Sequence, residues 1–110
     1  MSTTLAQIGE DALVRALTQN LPLGADVVAG AGDDCAIVQP LDKGWLQLLK
    51  TDCVVEGVHF LRETPLEKVG WKAMARTISD IAAMGGTPQH AMITLLAPAD
   101  RKVSEIKKLY

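Results

Sequence analysis

Between Thr64 and Pro88 the sequence punctuates a single long helix, and any fold for this chain has to accommodate it. Thr64 offers a capping hydroxyl, Pro65 suits the first helical position, and Glu67 follows Thr64 at the spacing of a capping box. The apolar pattern continues through Val69, Met74, Ile78 and Ile81 to Met84. Gly85-Gly86 and then Pro88 stop it. These signals predict roughly twenty residues, or about 30 Å, of helix.

The remaining elements are shorter. A first helix is expected over residues 10–20, with Leu13, Ala16 and Leu17 inward and Pro22 as its stop. Val27-Val28 read as strand, the chain breaks at residues 30–34, and a short apolar run covers residues 35–38. Residues 39–44, around Pro40, read as a loop. The longest strand candidate covers residues 45–60, with Gly57 as a bend or bulge, and residues 90–96 form another. From Asp100 a further helix begins, with Val103, Ile106 and Tyr110 at helical spacing. Helix, strands, long helix, strand, helix is the order of an α/β chain of the two-layer α+β kind, with helices on one face of a mixed sheet. There is no internal repeat or linker, so residues 1–110 are expected to form one domain. The last helix stops at Lys108-Leu109-Tyr110 without glycine, proline or a polar tail, so we expect a truncated N-terminal part of a longer protein.

Composition narrows the class. With 48% hydrophobic residues the chain can bury a core, and a net charge of -2 lacks the basic excess of a nucleic-acid binder. The nearly apolar run 91–99 is interrupted by Thr94 and Pro98, and is about half of what a membrane-spanning helix needs. Met1-Ser2-Thr3-Thr4 has no basic residue and soon meets Glu10 and Asp11, which argues against a secretory signal. Cys35 and Cys53 form no C-x-x-C pair, so the expectation is two reduced core thiols in a cytoplasmic protein.

Three aspartates sit in awkward local settings. Asp34 follows a glycine-rich turn and precedes an apolar run; Asp52 lies inside a predicted strand; Asp80 falls near the negative end of the long helix. Two carboxylates about 4 Å apart repel by roughly 4 kcal/mol at an effective dielectric near 20. Three converging acids would therefore require cations. Oxygen ligands without histidine or cysteine favour Mg2+ or a similar hard ion, and Mg2+ usually also holds substrate phosphates. Gly30 and Gly32 would let backbone approach a polyphosphate, although the same pattern also serves as a plain turn.

At these residues a family resemblance emerges. Gly30-Ala31-Gly32-Asp33-Asp34-Cys35-Ala36 resembles the G-x-G-D-D-x-A motif of thiamine-monophosphate kinases. The segment from Thr51-Asp52 through Glu56-Gly57-Val58-His59-Phe60 resembles their T-D-x-x-V-E-G-x-H-F stretch. Ile78-Ser79-Asp80-Ile81-Ala82-Ala83-Met84-Gly85 is similar to their L-S-D-L-A-A-M-G helix end. The wider superfamily, which includes aminoimidazole ribonucleotide synthase, shares the Asp34 and Asp80 regions more loosely.

The resemblance implies ATP as co-substrate, Mg2+ as cofactor and thiamine monophosphate as acceptor. It assigns Asp34, Thr51, Asp52 and Asp80 to metal binding and His59 to thiamine monophosphate; Gly30, Gly32, Asp33 and Lys50 are candidate phosphate-loop residues. It also implies a four-stranded mixed sheet, its last strand absent here, that pairs with a second copy in a homodimer. No nucleic acid or membrane is implied, and His90 reads as structural. Two positions depart from the family pattern: Lys50 stands where serine is usual, and Thr77 where asparagine is common. The Lys50 ammonium can replace a metal cation, hold a phosphate, or turn away into solvent. Another ATP-dependent enzyme of the superfamily and a non-catalytic dimerisation module are the alternatives.

Overall fold

The computed structural model describes residues 3–110, and the Met1-Ser2 part of the leader reading lies outside the described residues. The chain divides into two compact units. The first joins the stretch up to Leu46 to Gln89–Ser104; the second joins Gln47–Pro88 to Glu105–Tyr110.

In the first unit, helices α1 (Leu5–Ile8) and α2 (Glu10–Thr18) are separated by Gly9. The sequence reading missed α1, a single turn whose start is closed locally: the Thr4 N–H donates to Gln7 Oε1 at 2.9 Å. Its first amides are satisfied from afar, Leu5 N–H by the Arg101 carbonyl at 2.9 Å and Ala6 N–H by the Ala99 carbonyl at 3.0 Å. Leu17 is buried on α2, with Leu13 and Ala16 half-buried beside it, as the apolar spacing predicts. Strands β1 (Val27–Ala29) and β2 (Ile37–Val38) pair antiparallel, Val27 opposite Val38 and Ala29 opposite Ile37, with an irregularity in register between them.

The second unit is built on α3 (Leu66–Ala83), close to the predicted span. Its start differs from the capping box. Pro65 occupies the cap position, where a missing N–H costs nothing, and the Thr64 hydroxyl accepts the Leu61 N–H at 3.1 Å in the preceding turn. Its end follows the expected glycine stop. Gly85 lies at φ 69°, the Gly85 N–H donates to Ala82 O at 3.0 Å and the Gly86 N–H to Ile81 O at 2.9 Å, closing a Schellman motif. Leu66, Val69 and Ile106 are the buried apolar side chains of this unit. The C-terminal helix reading holds for α4 (Val103–Ile106), which tightens into a 3-10 turn over Lys107–Leu109. That turn packs against α3 at Gly70, where an added Cβ would strike the Leu109 carbonyl.

Two strand expectations are corrected. Among the described residues the sheet has two strands, β1 and β2, and neither 45–60 nor 90–96 enters a ladder, the first making only an isolated bridge between Glu56 and Phe60. Alternation supplies one face of a strand, whereas a ladder also requires a neighbouring backbone. The loop from residue 30 to 36 brings that neighbour to β1 locally. The longer segments instead leave apolar side chains open, with Leu46 at 90% exposure and Met92 at 93%. Cys35 and Cys53 are exposed thiols rather than core ones, because they sit on that loop and on one of those unladdered segments. No helix among the described residues is long and apolar enough to cross a membrane.

Candidate functional site

The glycine-rich segment is the connection of the β1–β2 hairpin. Gly30 lies against Leu23, where a Cβ would come within 2.9 Å of Leu23 Cδ2. Asp33 and Asp34 stand exposed at the loop, and the Asp34 N–H donates to Asp33 Oδ1 at 2.8 Å. An aspartate that accepts the next amide stiffens a turn and fixes where the following side chain leaves the backbone.

In the second unit, the segment 50–59 runs antiparallel to α3 and is tied to it by three polar contacts. Lys50 Nζ lies 2.7 Å from Asp80 Oδ2, Asp52 Oδ1 lies 3.5 Å from Arg76 Nη2, and Lys72 Nζ donates to the His59 carbonyl at 2.6 Å. The helix partners fall at residues 80, 76 and 72, so they share one stripe of α3. Four helical residues advance about 6 Å and two extended residues about 6.6 Å, so the steps from Lys50 to Asp52 and from Asp80 to Arg76 match.

Each contact has a chemical consequence. The hydrogen bond to Asp80 raises the Lys50 pKa, with the Asp80 and Asp52 charges adding to it and partial desolvation and Arg76 opposing. Asp52 is not the strand-interior acid expected from the sequence. Its Oδ1 accepts the Cys53 N–H at 2.8 Å, which does most to lower its pKa; Arg76 and Lys50 also lower it, against some desolvation. Asp80 is one turn from the end of α3, where the helix dipole disfavours an acid, and the Lys50 ammonium offsets that. Thr51 lies exposed between Lys50 and Asp52.

His59 closes a tight turn with Gly57 at its centre (φ 81°). The Val55 N–H donates to His59 Nδ1 at 3.0 Å, and the His59 N–H to the Val55 carbonyl at 2.8 Å. With Nδ1 accepting, the neutral ring carries its proton on Nε2, which makes Nε2 a donor suited to a phosphate or carbonyl oxygen.

Residues 32–110 match the family described as AIR synthase related protein, N-terminal domain. The chain belongs to this family. It is 36% identical over 108 residues to a thiamine-monophosphate kinase of Synechococcus elongatus, covering 97% of this chain and 31% of that protein. It is 41% identical over 106 residues to one of Aquifex aeolicus, covering 96% and 32%. For one of Bacillus subtilis the identity is 38% over 99 residues, covering 89% and 30%. The chain thus spans about a third of the length of these curated relatives. No solved structure matches it significantly.

Of the candidate residues in this AIR synthase related domain, Lys50, Asp52 and Asp80 are brought into one charged cluster, with Thr51 beside them. Asp34 belongs to the other unit. Among the described residues no group of three or more histidine, cysteine or acidic side chains gathers as a metal site would. The oxygen donors of Asp52, Asp80 and Thr51 fit a hard cation by chemistry, but both carboxylates already face side-chain cations. Arg76 is the residue that the sequence reading missed. It stands four positions before Asp80, a spacing that places both on one helix face, and that was the available signal. Thr77 donates its hydroxyl to the Ala73 carbonyl at 3.2 Å, so its departure from asparagine is satisfied within α3. His90 Nε2 lies 2.8 Å from Asp26 Oδ2, in keeping with a structural part.

Proposed function

We propose that the protein containing this chain is an ATP- and magnesium-dependent kinase that converts thiamine monophosphate to thiamine diphosphate. The carrying observation is the ordered set of three motifs over residues 30–86, aligned across nearly the whole chain with relatives named thiamine-monophosphate kinase. In this reading an oxygen of the acceptor phosphate attacks the ATP γ-phosphorus. The bond to the ADP oxygen breaks, and a new P–O–P linkage forms without a protein nucleophile.

Two anionic groups must meet, so positioning and charge neutralisation dominate the task of the site. Mg2+, when bound, would supply neutralisation of the phosphate charge. Asp34, Thr51, Asp52 and Asp80 are the residues that would hold it, and the Gly30–Asp33 backbone would approach the phosphates. His59, with Nε2 as donor, would contact thiamine monophosphate. Lys50 supports a second reading, a different acceptor within the same superfamily, because it stands where the family usually has serine.

The chain would serve as the N-terminal nucleotide and dimerisation domain of a cytoplasmic homodimer. Residues 45–60 and 90–96 would contribute strand to a four-stranded mixed sheet whose last strand comes from the rest of the protein and which pairs with a second copy. Their strand-like composition and open apolar side chains support this. The test is thiamine diphosphate formation from thiamine monophosphate and ATP by the full-length protein, titrated with Mg2+. Formation that requires Mg2+ is the expected result. ATP turnover with another acceptor and none with thiamine monophosphate would transfer the reading to a sister enzyme.

A further inference from the structure

Asp80 is an acid that needs a cation before any ligand arrives. It stands one turn from the end of α3, where the helix dipole is negative. Lys50 supplies the cation, its Nζ at 2.7 Å from Asp80 Oδ2, the short distance of a charge-assisted hydrogen bond. Asp52 and Arg76 meet at the longer 3.5 Å, and Lys50 also feels the Asp52 charge. Two carboxylates against two side-chain cations leave the cluster neutral, so Lys50 and Arg76 together carry the charge of one divalent ion. Among the described residues no third acid, histidine or cysteine joins them. A divalent ion on Asp80 would find no uncompensated charge and would stand beside the ammonium, which repels it.

We infer that Lys50 is a resident cation standing in for a divalent ion at Asp80, so that in this protein the Asp80 carboxylate anchors a lysine and is not a metal ligand. The inference rests on the magnesium reading above and narrows its ligand set to Asp34, Thr51 and Asp52. A tethered ammonium suits the role, because it belongs to the chain and is present at any metal concentration. Of its three N–H donors, Asp80 needs one. The Lys50 side chain is 35% exposed, so the other two are within reach of solvent and of a phosphate oxygen. Lysine binds phosphate as a point charge, which is the service a metal at Asp80 would otherwise give.

The test uses the full-length protein, freed of metal and titrated calorimetrically with Mn2+ alone. The double variant Lys50→Met/Asp80→Asn removes the pair without changing net charge, and should bind Mn2+ within about twofold of wild type, as loss of an exposed pair allows. Asp34→Asn should bind at least about tenfold more weakly, since even an outer-shell partner is worth that much. Amine labelling read by mass spectrometry reports on Lys50 itself and needs no variant for its first comparison. Lys50 should label at one rate with and without saturating Mn2+, and about threefold faster in Asp80→Asn, the scale of one exposed ion pair. A tenfold loss of affinity in the double variant overturns the inference and leaves the magnesium reading intact, as does labelling that quickens when Mn2+ is added. Equal labelling of wild type and Asp80→Asn overturns it too. Absence of Mn2+ binding in wild type overturns the magnesium reading, and the labelling of Asp80→Asn then decides by itself whether the carboxylate anchors the lysine.

Discussion

The ammonium of Lys72 donates to the carbonyl oxygen of His59 at 2.6 Å, joining residues thirteen positions apart. This contact holds the turn that presents the imidazole against the first half of α3. Lys72→Met should therefore loosen residues 55–60 and cost about 0.5–1.5 kcal/mol, the usual net worth of one hydrogen bond. Amide exchange at Gly57 and His59 should quicken. In the full-length protein the KM for thiamine monophosphate should rise with Mn2+ affinity unchanged; unchanged exchange at both amides would contradict the assignment.

Gly70 faces the Leu109 carbonyl so closely that any side chain must move the 3-10 turn. Alanine improves helix propensity by about 1 kcal/mol over glycine, whereas overpacking against backbone costs about 1–3 kcal/mol. The clash should win for Gly70→Ala, lowering stability by up to about 2 kcal/mol net. Urea denaturation measures this, and a stabilised variant would show that the turn shifts freely.

Asp52→Asn separates function from stability. The Asp52–Arg76 pair is long and solvent-facing, so its loss should leave thermal unfolding close to wild type. If Asp52 holds Mg2+ in the proposed kinase, turnover by the full-length protein should fall about a hundredfold or more, in line with removal of one stabilising group from a transition state. Steady-state kinetics beside thermal unfolding distinguishes the two effects.

Asp26 should show itself in acid. Its hydrogen bond to His90 holds its carboxyl below the usual carboxylate range. A depressed folded pKa means the contribution is fully present above the unfolded value of about 3.9 and is lost as pH falls through the folded pKa. Thermal unfolding followed from pH 6 down to about 2 should fall more steeply in wild type than in Asp26→Asn. Parallel curves would show that the pair is immaterial to the fold.

The helices were legible because their signals are local. Pro65, the apolar spacing from Val69 to Ile81 and Gly85-Gly86 act over one to four residues, and α3 spans what they mark out. Leu17 on α2 follows from the same periodicity. Two short apolar runs about a glycine-rich break were legible, and their pairing as a hairpin is what the structure adds. The strands predicted at 45–60 and 90–96 were not secured in this way, because alternation says which face is apolar and nothing about which backbone stands alongside.

For the site, the sequence by itself determined which residue types were available: carboxylates at Asp34, Asp52 and Asp80, hydroxyl at Thr51, imidazole at His59, and an unusual lysine at position 50. It left three fates open for that lysine. Tertiary structure added partners by laying residues 50–59 antiparallel on α3, so that Lys50 meets Asp80, Asp52 meets Arg76 and the His59 carbonyl meets Lys72. Charge pairing of this kind depends on distances across the fold. Coulomb energy falls with separation in space and takes no account of separation along the chain, which is why these partners could not be read from their positions in the sequence.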